Sequence, residues 1–192
     1  MFPAMTSPPR LMAVLAHPDD ESLGTGGALA RSAAEGVATY LVTATRGERG
    51  RFGDSKESPG PEIVGRAREA ELRAAAQELG VREVHLLDYQ DGDLDRVDPP
   101  HAIAQIVGHL RRVKPQVVLT FGPDGAYGHP DHIAISQLTT AAIVCAGDPA
   151  FGPSPAIAEP HRVSKLYFIA WSPQKWAAYQ AALRRLVFKV DG

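Results

Sequence analysis

His17-Pro18-Asp19-Asp20-Glu21 places one imidazole beside three carboxylates, and His129-Pro130-Asp131-His132 places two imidazoles around a fourth. Such groups bind divalent cations and move protons. His17 and Asp20 stand three residues apart, so a tight turn or helical start can aim both at one point. Asp19 then projects elsewhere and stays free. One histidine from the second cluster would complete three protein ligands and leave an open position. Catalytic zinc sites use this count, with water in the open position. The metal brings the pKa of that water to about 7, and a free carboxylate within reach can take its proton as general base. Tyr127, His129 and His132 share one short stretch that can supply a group to stabilise a developing oxyanion. The chemistry predicted is metal-assisted hydrolysis of an amide or ester.

Elements must carry both clusters to one place. The first follows the apolar run Leu11-Met12-Ala13-Val14-Leu15-Ala16, and the second follows Val117-Val118-Leu119-Thr120-Phe121. Each run suits a buried strand that gives way to a loop and helix, and open α/β sheets bind ligands at the carboxyl ends of their strands. The spacing predicts strands over 11–16, 37–43, 84–87, 117–121 and 165–171, with helices over 26–35, 61–79, 99–113, 130–146 and 174–183. Gly36 and Gly80 should stop the first two helices, and Asp98 should cap the third. Ala28, Leu29 and Ala33 are expected on the inner face of the first. Ile63, Ala67, Ala70, Ala74 and Leu79 are expected on that of the second. Segments 47–61 and 147–164, rich in Gly and Pro, read as loops.

This alternation predicts an α/β fold, a single three-layer Rossmann-like domain with a mainly parallel sheet and right-handed crossovers. The domain should occupy residues 11–192, after a flexible segment 1–10 that carries Pro3, Pro8 and Pro9. Phe188-Lys189-Val190 reads as the start of another strand, so a further C-terminal piece is expected.

A chain of 192 residues with 44% hydrophobic and 22% charged side chains suits one globular domain. A net charge of −2 gives no electrostatic case for nucleic acid or an anionic membrane. The basic groups Arg46, Arg49, Arg51 and Arg111, Arg112, Lys114 read as solvated faces. A single cysteine, Cys145, precludes a disulfide framework and reads as a core residue in a reducing, cytoplasmic protein. The apolar run before His17 is too short for a signal core or a membrane helix, so no membrane insertion is expected. Gly24-Thr25-Gly26-Gly27 comes too late after its strand, and is too incomplete, to bind a nicotinamide dinucleotide. His85, His101, His109 and His161 lie outside such paired clusters and read as structural or solvent-exposed.

Ala16-His17-Pro18-Asp19-Asp20-Glu21 together with Gly128-His129-Pro130-Asp131-His132 resembles the LmbE-like family. That family includes the N-acetylglucosaminylphosphatidylinositol de-N-acetylases and the deacetylases of mycothiol and bacillithiol synthesis. The resemblance runs from the first strand to about Trp171. It implies a Rossmann-like zinc-dependent deacetylase acting on an N-acetylglucosamine-type group. Carried over, it makes His17, Asp20 and His132 the ligands of Zn2+, with Fe2+ also suited to such a site. Asp19 becomes the general base, His129 a charged group assisting the tetrahedral intermediate or leaving amine, and Tyr127 a carbonyl-polarising phenol. Thr45-Arg46-Gly47-Glu48, the pair Arg68 and Glu71, and Asp91 resemble the family's substrate-contacting positions, with Arg68 reaching a sugar hydroxyl or phosphate. The resemblance also implies a small N-acetyl amino sugar or glycoside as partner, self-association, and a longer chain that can add another histidine to the pocket.

Glu48 and Arg68 equally suit a structural ion pair, and Asp91 a turn cap. Two other functions fit the same residues: an amidase or esterase acting on another small substrate such as a thiol conjugate, and a non-catalytic sugar- or metal-binding protein. Asp19 speaks against the second, because a binding module needs no free base beside its ligands.

Overall fold

The apolar runs become strands β1 Arg10–Leu15, β2 Ala38–Thr45, β3 Glu83–Tyr89, β4 Val117–Phe121 and β5 Lys165–Ile169. In the computed structural model, which describes residues 7–53, 57–152, 159–174, 176–178 and 180–182, they form one parallel sheet in the order β3-β2-β1-β4-β5. Central β1 pairs with β2 on one side and β4 on the other. Met12 through Leu15 are fully buried, as a strand covered on both faces must be. Helix α1 spans Asp20–Leu23, α2 Gly26–Ala34, α3 Pro61–Glu78, α4 Pro99–Val113, α5 Gly125–Gly128 and α6 Pro130–Ala146, with a 3-10 turn at Leu94–Arg96. Leu79, at the end of α3, packs beside Gly26 of α2, while α4 packs on α6. The order reverses between β1 and β4, so the loops leaving those two strands diverge and open a crevice at their carboxyl ends.

The five predicted strands and the helices from 26–35 to 130–146 appear, with β5 ending at Ile169, and β3 extends through Asp88 and Tyr89, which the sequence reads as loop. Asp98 caps α4 by accepting the His101 amide. The described residues between 173 and 182 are helical, while Leu183 and the segment from Phe188 onward lie outside the described residues.

The predicted inner faces are partly wrong. Leu29 is buried, but Ala28 is exposed. On α3 the buried residues are Val64, Gly65, Leu72 and Ala76, whereas Ile63 is 46% exposed and Ala70 and Ala74 face outward. An alanine-rich helix has little hydrophobic contrast, so the two large residues Val64 and Leu72 set its orientation. Arg111 also departs from expectation. It is only 4% exposed and donates to the carbonyls of Cys145, Ala146, Asp148 and Phe151. A guanidinium has enough donors to serve four carbonyls at and just beyond the end of α6, which makes its burial tolerable. Cys145 is half-buried and packs against the core.

Candidate metal centre and active site

Beyond β1 the chain turns sharply, with Asp19 in the left-handed region at φ 99°. The turn lets Asp20 fold back, so that its Oδ2 accepts the amides of Ala16 (3.1 Å) and His17 (2.8 Å). Glu21 is buried and accepts the Asp19 amide and the Ser22 hydroxyl, so it holds the loop and leaves the chemistry to its neighbours. Beyond β4, His129 caps α6 and His132 sits in its first turn, within the helix the spacing predicted. The His132 ring stacks on Phe121 at 3.8 Å and 6°, which fixes its plane.

The outer ring nitrogens define the tautomers. His17 Nε2 lies 2.9 Å from Asp131 Oδ2 and 3.2 Å from Asp91 Oδ1, so it must carry a proton. His132 Nδ1 lies 3.2 Å from the Gly125 carbonyl and must do the same. The inner nitrogens, His17 Nδ1 and His132 Nε2, then face each other at 3.2 Å beside Asp20, whose Oδ1 is 3.4 Å from His132. Three buried acceptor atoms converge with no donor among them. Such a set calls for a cation, and His17, Asp20 and His132 can hold a metal ion with donor atoms all within 4.8 Å. The same need shows in protonation. Burial opposes charge on His17, but hydrogen bonds to Asp131 and Asp91 and the Asp20 charge outweigh it and push its pKa up to about 9.

A second set, His17, His129 and Asp131, is equally close. It is the poorer cage, because Asp131 already accepts the Gly92 and Leu94 amides as well as His17, and His129 Nδ1 accepts the Asp131 amide. Asp131 was the residue that sequence reasoning passed over. Fully buried, it fixes which nitrogen of His17 faces the metal position and ties that ligand to the loop after β3. Its place between two histidines was the available signal.

The remaining candidates surround this centre. Asp19 lies beside it, with burial and then the Asp20 charge raising its pKa above the usual carboxylate range, while Arg68 pulls the other way. His129 lies 4.9 Å from the His17 ring, and Tyr127, 45% exposed, lies 5.2 Å from that of His132. Burial, with His17 and His132 nearby, lowers the His129 pKa. Its Nδ1 accepts the Asp131 amide, which leaves Nε2 as the ring nitrogen available to the site. Asp91 accepts the Arg49 amide and reaches His17, and Glu48 accepts the Asp91 amide, joining the loops after β2 and β3. Arg68 pairs with Asp19 rather than with Glu48. A cavity of about 580 Å³, lined in part by Asp19, Arg51, Arg68 and Glu71, opens on that side, and its size suits a small ligand. Of the other histidines, His85 and His109 pack on each other, and His161 meets the Pro115 carbonyl.

The GlcNAc-PI de-N-acetylase (PIG-L) family model matches residues 12–143. A 1D-myo-inositol 2-acetamido-2-deoxy-alpha-D-glucopyranoside deacetylase of Streptomyces griseus is 38% identical, over 92% of this chain and 59% of its own. The chain spans about three-fifths of the length of the curated relatives it matches. Among solved structures, the N,N'-diacetylchitobiose deacetylase of Pyrococcus horikoshii shares the fold with a TM-score of 0.74 at 20% identity, over 92% of this chain and 76% of that one. The 4-carboxy-2-hydroxymuconate hydratase GalB of Pseudomonas putida KT2440 is 30% identical with a TM-score of 0.66, over 79% of this chain and 63% of that one. No helix among the described residues is long and apolar enough to cross a membrane.

Proposed function

Because the chain belongs to the GlcNAc-PI de-N-acetylase (PIG-L) family, we propose that it is a metal-dependent hydrolase that removes the acetyl group from a small N-acetylglucosamine-type molecule. The convergence of His17 Nδ1, His132 Nε2 and the Asp20 carboxylate as three donor-less acceptors is the observation that carries this reading. These residues would hold the ion, which we take to be Zn2+ with Fe2+ as the other suited metal. When bound, the ion would supply a Lewis acid for the amide carbonyl and acidify water.

The protein groups divide the rest of the work. Asp19, beside the ligands but outside the set, takes the proton of the attacking water and passes it to the leaving amine. The His129 Nε2–H and the Tyr127 phenol donate to the oxygen that gains charge, a role a neutral imidazole performs without competing with the cation. Glu48 and Asp91, set on the loops after β2 and β3, and Arg68 beside Asp19 face the sugar hydroxyls. The domain of residues 11–192 would act in the cytoplasm on a small molecule, and self-association is part of the same reading.

The 30% identical hydratase favours a second reading, water addition by the same centre without release of acetate. One experiment separates the two: an acetate-release screen over N-acetylglucosamine glycosides, with elemental analysis of the same sample and a parallel hydration assay on an unsaturated carboxylate. Acetate release with one equivalent of metal is expected; hydration without acetate release would replace the proposal.

A further inference from the structure

The candidate metal position lies between β1 and β4, and its two flanks differ in chemistry. Toward β2 lies the cavity that carries the charged side chains of Asp19, Arg51, Arg68 and Glu71. Toward β5 lie three aromatic rings in successive contact. Tyr127 stands 5.2 Å from the His132 ring, Trp171 stands 6.4 Å from Tyr127, and Trp176 stands 5.8 Å from Trp171. Trp171 follows the end of β5 by two residues. That end lies against the turn that carries His17 and Asp20, since a Cβ on Gly24 would stand 3.3 Å from Ile169 Cδ1. The aromatic rings therefore belong to the rim of the site.

An amide held at this position has two ends. In hydrolysis the oxygen of water adds to the carbonyl carbon and the C–N bond breaks. The proton that Asp19 took from water goes to the departing nitrogen, which leaves a free amine and the carboxylate of the acyl group. Asp19 must reach that nitrogen, so the nitrogen and the sugar it carries face the charged flank. The acyl substituent, across the carbonyl carbon, faces the aromatic one. We propose that Tyr127, Trp171 and Trp176 form an acyl subsite, and that the protein hydrolyses N-acyl amino sugars whose linear acyl chains are longer than acetyl. The inference rests on the deacetylase reading with Asp19 as base. Size supports it: a methyl group covers a corner of one ring, whereas aromatic side chains bury roughly 150–250 Å² each. Tyr127 is 45% exposed and both tryptophans are only partly buried, so apolar surface is open to a ligand.

A chain-length series on the wild-type protein tests this. At equal metal content, N-butyryl- and N-hexanoylglucosamine glycosides should exceed the N-acetyl compound in kcat/KM, by up to ~4-fold for each methylene buried. A flat or falling series would overturn the proposal. Trp171→Ala should cost the hexanoyl substrate ~10-fold in kcat/KM and the acetyl substrate much less; an equal loss for both would make Trp171 a structural residue. The two tryptophans of the chain both lie in this subsite, so their fluorescence reports on it without turnover. Hexanohydroxamate added to the metal-loaded protein should shift tryptophan emission and bind at least ~10-fold more tightly than acetohydroxamate. Trp171→Ala should erase that preference, with Trp176 left as reporter. Equal affinities, or tighter binding without a change in emission, would refute the subsite. Should the wild-type protein release no carboxylate from any of these substrates, the deacetylase reading fails on its own and the hydroxamate titration still decides the subsite.

Discussion

His17 and His132 meet with ring centroids 5.2 Å apart and planes at 47°, and His85 and His109 meet at 4.8 Å and 44°. The two pairs are nearly alike as pairs, yet their surroundings drive them apart. The first is ringed by Asp20, Asp91 and Asp131, and His17 rises to about 9. The second pair lies beside Arg112. There burial, the His85 partner and the Arg112 charge push His109 down to about 4, with Glu83 only partly opposing them. Two imidazoles in contact therefore do not make a cation site. Carboxylates that orient the outer nitrogens and add negative charge do.

Removing one ligand from the first pair gives the largest contrast. His17→Ala should abolish metal binding and turnover together, whereas His85→Ala should leave both intact; stoichiometric metal in His17→Ala would remove the distinction drawn here. Next comes Asp19→Ala, which should retain metal and lose ~10²–10⁴-fold in kcat, measured alongside metal content. Asp131→Asn should weaken metal affinity by ~10–100-fold. Oδ2 accepts both the Gly92 amide and His17 Nε2–H and Oδ1 accepts the Leu94 amide, so the asparagine amide loses at least one of these bonds, and with its amino group at the Oδ2 position it favours the His17 tautomer with the proton on the metal side. Titration with a competing chelator would measure this loss, and an unchanged affinity would mean that Asp131 does not set the tautomer.

The smallest effect belongs to the second pair and concerns stability. His109 has a folded pKa of about 4 against an ordinary 6.5, so between those values the unfolded chain binds more protons than the folded one. Stability should fall as pH drops from 6.5 toward 4, level off below that, and owe nothing to His109 above 6.5. Urea melts across that range should show a shallower slope in His109→Gln than in the wild type. Equal slopes would place the pH dependence elsewhere.

Much of this was legible beforehand because it depends on local order. Apolar runs of strand length and Pro- or Asp-led helix starts are short-range signals, and both candidate metal-binding clusters are contiguous. The inner face of α3 was misread because small residues give a weak period, and Arg111 because burial of a cation depends on carbonyls 34 to 40 residues away. Asp131 and Arg68 were seen as a neighbour and a substrate contact. Their partners lie 114 and 49 residues off, at separations where spacing carries no information.

By itself, then, the sequence determined the strand and helix order and the ligand candidates His17, Asp20 and His132, because residue type and short spacing encode those. Tertiary structure alone decided which ring nitrogens face the candidate metal position, that His129 Nδ1 accepts a backbone amide, and that Arg68 lies against Asp19. Those facts depend on which carbonyls and carboxylates the crossover between β1 and β4 brings within hydrogen-bonding distance, and only the folded sheet fixes that.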